Sequence, residues 1–211
     1  MNKSNRIYDM LCNEYPRAKT ALRFRTPWQM LVATILSAQC TDKRVNEVTA
    51  LLFEKHPSIA DYLDMPQDKL ISFIKPAGFF NNKSKNILAA AKKISSEFKG
   101  KVPRTIDDLI SIPGVARKTA NVVLGNAYGI TEGIAVDTHV KRLSYRIGLS
   151  RQKVPEKIEQ DLMKIYPKEK WINLTYILIE HGRAVCKAPT PICSKCSLAA
   201  LCDKNSIIKS T

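Results

Sequence analysis

Three groups of side chains in this sequence have types and spacings that could do chemistry. Lys118 stands in Ile112-Pro113-Gly114-Val115-Ala116-Arg117-Lys118-Thr119-Ala120, where a proline–glycine turn separates two apolar helical patterns. Asp137 follows nineteen residues later, inside Ala135-Val136-Asp137-Thr138-His139. Cys186, Cys193, Cys196 and Cys202 fall within seventeen residues. An amine attacks only when neutral, and a free lysine has a pKa of about 10.4. The partial positive charge of a helix start and the adjacent Arg117 both disfavour the ammonium form, and partial burial would act the same way. A lysine so placed suits imine formation; the same placement also serves contact with a phosphate. Asp137, just ahead of a helical pattern, has the position of an N-cap. Four thiolates in close sequence can hold zinc or an iron–sulfur group.

The elements that must carry these residues are legible. Pro113 pre-sets a turn and Gly114 can take a positive φ without steric cost. A tight turn feeding a helix leaves unpaired backbone N–H groups at the helix start, where the dipole also favours an anion. Such a corner can grip a phosphate without reading sequence, or can simply join two helices.

Around them the signals are almost entirely helical. Thr26-Pro27-Trp28-Gln29 has the form of a capping box with proline at the first helical position, followed by an apolar stripe of Leu31, Val32, Ile35 and Leu36. The stripe stops at Ser37-Ala38-Gln39-Cys40-Thr41, and Asp42 is expected to cap a helix with Val45, Val48 and Leu52 inward. Pro57-Ser58 and Pro66 are expected to start two short helical segments. Lys75-Pro76-Ala77-Gly78 breaks the pattern and is expected to expose Phe79-Phe80-Asn81-Asn82. Ile87, Leu88, Ala91, Ile94 and Phe98 mark a longer helix. Between Lys83 and Arg104 lie seven basic residues and one acid, a run that reads as a solvated helix face. Thr105 caps a short helix before the turn, and Ala120, Val123, Leu124 and Ala127 share a face after it. Three further helices carry Val140–Leu143–Ile147, Ile158–Leu162–Ile165 and Trp171–Leu174–Leu178–His181, and the tail from Cys186 is loop-like. About ten short helices without an alternating strand pattern make an all-α protein.

The formal net charge is +15, from 34 Lys+Arg against 19 Asp+Glu, in a chain that is 45% hydrophobic. That is a globular composition with a preference for a polyanion, since each phosphate neutralised releases counterions. No apolar run reaches the length of about 18–20 residues that spans a membrane. Met1-Asn2-Lys3-Ser4-Asn5-Arg6 leads into no apolar signal region, so an intracellular, cytoplasmic protein is expected. In a reducing compartment the cysteine cluster reads as metal-binding before disulfides. Cys12 and Cys40 stand apart as core or loop residues.

Four segments together resemble one family. Ile112–Ala120 is similar to the helix–hairpin–helix of the endonuclease III family of DNA glycosylases with an iron–sulfur cluster. Ala135–His139 resembles that family's segment with the catalytic aspartate, and Leu36-Ser37-Ala38-Gln39-Cys40-Thr41-Asp42 resembles its first DNA-facing loop. Cys186-x6-Cys193-x2-Cys196-x5-Cys202 has its ligand spacing. The matches run in the family's order over nearly the whole chain.

The resemblance implies a helix–hairpin–helix glycosylase fold of two helical domains with the DNA site in the cleft between them. One domain would span 21–132, with the hairpin at about 106–128; the other would combine 1–20 with 133–211 and carry the cluster loop 186–202. It implies a monomer that binds duplex DNA containing a damaged base or an abasic site, nucleoid-associated if prokaryotic. Lys118 would attack C1′ of a flipped nucleotide, form a Schiff base and permit β-elimination. Asp137 would either stabilise positive charge at C1′ or help deprotonate Lys118. The four cysteines would hold one structural 4Fe–4S cluster. Gln39 would fill the gap left by the flipped nucleotide and Phe79 would act as an apolar wedge between bases. Gly114, Ala116, Arg117 and His139 complete the expected DNA-facing set, although His139, like His181, also reads as structural.

Three positions depart from the family pattern. Ala116 stands where a second hairpin glycine is common; if that position needs a positive φ, alanine is strained. The loop between the first two cysteines holds one basic residue, Lys187. Phe79 replaces an aliphatic wedge. Damaged, oxidised pyrimidines are the expected substrate, with UV dimers as a variant on similar chains. A monofunctional mismatch glycosylase is a second reading, but those relatives usually lack a lysine at the position of Lys118. Their adenine-removing members tend to carry a further C-terminal domain, for which nine residues follow Cys202 here. A DNA-binding or redox-sensing module would explain the charge, hairpin and cysteines but leave Lys118 and Asp137 without a purpose.

Overall fold

The structure is a computed structural model that describes residues 2–211. Its α-helices, in chain order, are α1 (Lys3–Glu14), α2 (Pro27–Leu36), α3 (Asp42–Lys55), α4 (Gln67–Ile74) and α5 (Phe80–Glu97). There follow α6 (Ile106–Ile110), α7 (Arg117–Val123), α8 (Thr138–Ile147), α9 (Pro155–Ile165) and α10 (Trp171–Ala184). Single 3-10 turns lie at Ala60–Tyr62, Lys75–Ala77, Lys168–Lys170 and Cys193–Lys195, and a π-helical turn, Leu124–Tyr128, continues α7. No strand occurs among the described residues, and none of their helices is long and apolar enough to cross a membrane. The chain forms two compact units, Ala21–Ile130 and Met1–Thr20 with Thr131–Thr211.

In the unit Ala21–Ile130, α2 is the central element. Every residue from Trp28 to Leu36 is buried, which is what an apolar helix without a polar face requires. Helices α3, α5 and α7 pack around it. Its start is fixed by Thr26, whose Oγ1 accepts from Gln29 N–H at 3.2 Å, while Gln29 Oε1 accepts from Arg25 N–H at 2.8 Å. The reciprocal arm of the box therefore reaches one residue further back than a capping box does.

Three details differ from the sequence reading. Thr41, not Asp42, caps α3, with its hydroxyl accepting from Arg44 N–H; Asp42 is the first helical residue, where its charge favours the dipole. Phe80 opens α5 and is half-buried against the core, so the exposed segment includes Phe79 but not Phe80. Lys83 is no part of a solvated face: it is 5% exposed, on the buried stripe with Ile87, Ala91 and Ile94.

The second unit is built on α10, against which α8 and α1 pack. Leu174, Ile177 and Leu178 meet Ile7 and Leu11 of α1, Val140, Leu143 and Ile147 of α8, and Ile158 and Leu162 of α9. The N-terminal helix is tied in by polar contacts too. Tyr166 Oη donates to Ser4 O at 3.1 Å, and Trp171 Nε1 donates to Tyr166 O at 2.7 Å.

Candidate functional site

The hairpin turn is anchored by its apolar ends. Ile112 and Val115 are buried, and Val115 N–H closes the turn on Ile112 O at 3.1 Å. Pro113 and Gly114 occupy its central positions. Gly114 has φ +80°, and a Cβ there would lie 2.8 Å from Asn86 Cβ on α5. Two independent constraints, backbone conformation and the approach of α5, therefore require glycine at 114.

Ala116 meets no such constraint. Its φ of −88° and ψ of 168° are extended backbone, and it stands at the N-cap of α7. The alanine is unstrained, and its methyl offers no acceptor to the amides of the first turn, which have no side-chain cap. The start of α7 thus presents backbone donors with the positive end of the helix behind them. Arg117 and Lys118 follow, and both are exposed. Lys118 is the second residue of α7, which the small Ala116 precedes as N-cap.

Two loops of the same unit present further groups. Gln39 lies beyond Ser37, the residue that caps α2, so it does not cap that helix itself. It is exposed, with φ +52°. Phe79 is 62% exposed, which excludes a core phenylalanine, and it has φ +48° directly after Gly78 at φ +68°. A bulky side chain in left-handed backbone costs of order 1–3 kcal/mol and persists only where the surroundings hold it.

Asp137 belongs to the other unit. Its Oδ1 accepts from Val140 N–H at 2.8 Å, so it caps α8 as its spacing suggested. The cap engages one carboxylate oxygen of two. The half-buried side chain follows the buried run Ile134–Val136 and is thereby held at the end of a packed segment. His139, two residues along, receives a hydrogen bond at Nδ1 from Arg142 Nη2 at 3.1 Å and packs on Gly182, where a Cβ would lie 2.7 Å from the ring. Burial pushes the His139 imidazole below its ordinary pKa; Arg142 and Arg183 act the same way, and Asp137 opposes them. The ring is neutral near pH 7 and accepts from the guanidinium.

Sequence reasoning passed over the two arginines of α8 that hold the cysteine loop. Arg142 donates to Cys186 O and Gly182 O. Arg146, 5% exposed, donates to Lys187 O at 2.7 Å and Pro189 O at 3.0 Å. Their four-residue spacing puts both on one side of α8, a signal that was present but indistinguishable from surface charge. The single basic residue of this loop is thus held by its backbone carbonyl.

The four cysteines surround a pocket lined also by Ile147, His181, Ile192 and Leu198. Each of three sulfurs faces a nitrogen: Arg146 Nη1 lies 3.6 Å from Cys186 Sγ, His181 Nε2 3.4 Å from Cys196 Sγ, and Lys204 N 3.4 Å from Cys202 Sγ. Burial pushes the Cys196 thiol up to about 11 and Cys202 in the same direction. Thiolates there need a cationic centre and N–H donors to be stable, and Arg146 Nη1 and Lys204 N supply two such donors. Four cysteine sulfurs around one pocket are a donor set that can hold a group of several metal atoms, each bound by one thiolate, or a single zinc ion.

Comparison with known proteins gives three kinds of match. Residues 32–168 match the model of the HhH-GPD superfamily, described as base excision DNA repair proteins. Endonuclease III of Synechocystis sp. is 50% identical over 200 residues, covering 95% of this chain and 91% of the relative. A non-covalent endonuclease III–DNA complex superposes with a TM-score of 0.92 at 41% identity, over 97% of this chain and 96% of that one. A trapped endonuclease III–DNA covalent intermediate, an estranged-adenine complex, superposes with a TM-score of 0.91 at 41% identity, over 97% of each chain.

Proposed function

The chain belongs to the endonuclease III family within the HhH-GPD superfamily, and on that premise we propose that Lys118 is its nucleophile and Asp137 its assisting carboxylate. The protein is a bifunctional DNA glycosylase and AP lyase that removes oxidised pyrimidines from duplex DNA in base-excision repair. The observation that carries the residue assignment is an exposed lysine at the start of α7, directly behind a turn that only glycine can make.

The chemistry runs as follows. Backbone amides at the start of α7, with Arg117, hold a phosphate beside the damaged nucleotide, and the flipped nucleotide meets Lys118. The neutral amine forms a bond to C1′ as the bond to the base breaks and the base leaves with a proton. Asp137 balances the positive charge that develops at C1′. The sugar ring opens to an imine on Lys118; loss of a C2′ proton then expels the 3′ phosphate and nicks the strand. Hydrolysis of the imine returns the amine. Gln39 fills the gap in the stack and Phe79 wedges between bases. Ala116 keeps a small side chain beside the phosphate. His139 stands on the DNA-facing end of α8 and is fixed by Arg142.

Incubation with borohydride and a duplex carrying one thymine glycol tests the activity. A covalent protein–DNA adduct is expected. Base release with no trappable adduct would replace this reading with that of a monofunctional glycosylase.

Cys186, Cys193, Cys196 and Cys202 hold one 4Fe–4S cluster in this reading, supported by the four-thiol donor set around one pocket, by the N–H donors of Arg146 and Lys204 beside it and by the family. When bound, the cluster fastens the loop 186–202 to the ends of α8 and α10 and takes no part in base removal. The purified cytoplasmic monomer is expected to absorb at roughly 400 nm, and Cys202→Ser to lose that band together with thermal stability. A colourless protein with one zinc per chain is the contrary result.

A further inference from the structure

Lys83 has no part in the chemistry above, yet its position is unusual. A lysine that is 5% exposed normally pairs with a carboxylate. Here Nζ donates instead to two backbone carbonyls, Leu36 O and Ala77 O, each at 2.9 Å. Burial lowers its pKa, and the nearby Cys40 thiol acts in the opposite sense.

The two acceptors are particular. Leu36 is the last residue of α2, and three residues later comes Gln39. Ala77 ends the 3-10 turn Lys75–Ala77, and two residues later comes Phe79. Both loops leave their helices through left-handed backbone at non-glycine residues, Gln39 at φ +52° and Phe79 at φ +48°. Neither conformation is favoured locally, so each must be held by its surroundings. An ammonium between two carbonyls at helical C-termini is well placed to do this, because those ends carry partial negative charge. Its three donors can serve both loops at once.

We propose that Lys83 is a positioning residue for lesion binding, a buried strap that fixes the Gln39 and Phe79 loops to one another so that gap filling and wedging occur as a single event. The proposal rests on the DNA-facing roles given above to Gln39 and Phe79. It makes the two loops one cooperative element: loosening either releases the other.

Lys83→Met keeps most of the apolar stem and removes the donors. Hydrogen exchange of the DNA-free variant is the first measurement. Amides of residues 37–41 and 77–82 are expected to exchange about tenfold faster together, while the hairpin at 112–118 keeps its wild-type rate. The second measurement is affinity for a duplex with a tetrahydrofuran abasic analogue. It is expected to fall about tenfold, with undamaged duplex bound within about twofold of wild type. In a Gln39→Ala/Phe79→Ala background, Lys83→Met is expected to add no further loss.

Unchanged exchange in both loops overturns the strap. So does equal loosening throughout the Ala21–Ile130 unit, or a full additional loss of affinity in the double-variant background. If the loops loosen but Gln39→Ala/Phe79→Ala binds the lesion duplex as wild type does, the roles of those two residues fail, and the function of the strap in lesion binding fails with them. Should Lys83→Met not fold, Lys83→Gln gives the same reading. Its amide is one atom shorter and cannot hold both carbonyls at once, so both loops are again expected to loosen together.

Discussion

Lys118→Ala is expected to bind damaged duplex DNA yet give no borohydride-trapped adduct and no β-elimination product. The loss in both base excision and strand nicking should be at least about 10³-fold, since removing a covalent nucleophile removes the path and not one contact along it. Stability should change by no more than about 0.5 kcal/mol, because the side chain is exposed and alanine is a good helix former. The readouts are single-turnover excision of a thymine glycol, denaturing-gel analysis of trapped complexes and a thermal melt. A persisting adduct of undiminished yield would move the nucleophile elsewhere.

The second large effect concerns Asp137, where structural and chemical duties can be separated by a single atom. Asp137→Asn keeps an oxygen that can accept from Val140 N–H, and asparagine caps helices about as well as aspartate does. The melting temperature should hardly move. Asp137→Ala, by contrast, should lose about 1 kcal/mol with the cap. Both variants are expected to lose about 10²- to 10³-fold in base excision, because the negative charge near C1′ is gone in each. Nicking of a pre-formed abasic site, which needs no departure of a base, should fall less than about tenfold in Asp137→Asn. If excision and nicking fall together, Asp137 acts mainly as the base for Lys118 and not as a counter-charge. Excision that tracks the melting temperature across the two variants would leave Asp137 with the cap alone.

Legibility in the sequence followed the range of the interaction. The positive φ of Gly114, the Thr26 cap and the Asp137 cap depend on neighbours within a few residues and could be read from spacing, whereas the approach of Asn86 to Gly114 could not. The apolar stripes of α2, α5, α8 and α10 were visible because burial repeats with the helix period. Thr41 displaced Asp42 as a cap because both residue types can serve, and only the chain path chooses. Lys83 was hidden in a basic run. Its acceptors are backbone carbonyls 47 and 6 residues away, which leave no mark in composition. One local sign existed: Lys83 lies four residues before Ile87, in phase with the buried stripe. Arg142 and Arg146 were missed for the same reason, since a guanidinium that grips carbonyls looks in sequence like any solvated charge.

The extended backbone at Ala116 has a consequence outside the folded state. Glycine at 116 would gain no conformation that the turn uses, since φ −88° is open to every residue. It would, however, widen the ensemble sampled by the denatured chain, a difference of about 0.4–1 kcal/mol in favour of alanine. The hairpin here thus resists melting more than a doubly glycine-substituted turn of the same shape, and in the proposed phosphate contact it would have less freedom left to surrender.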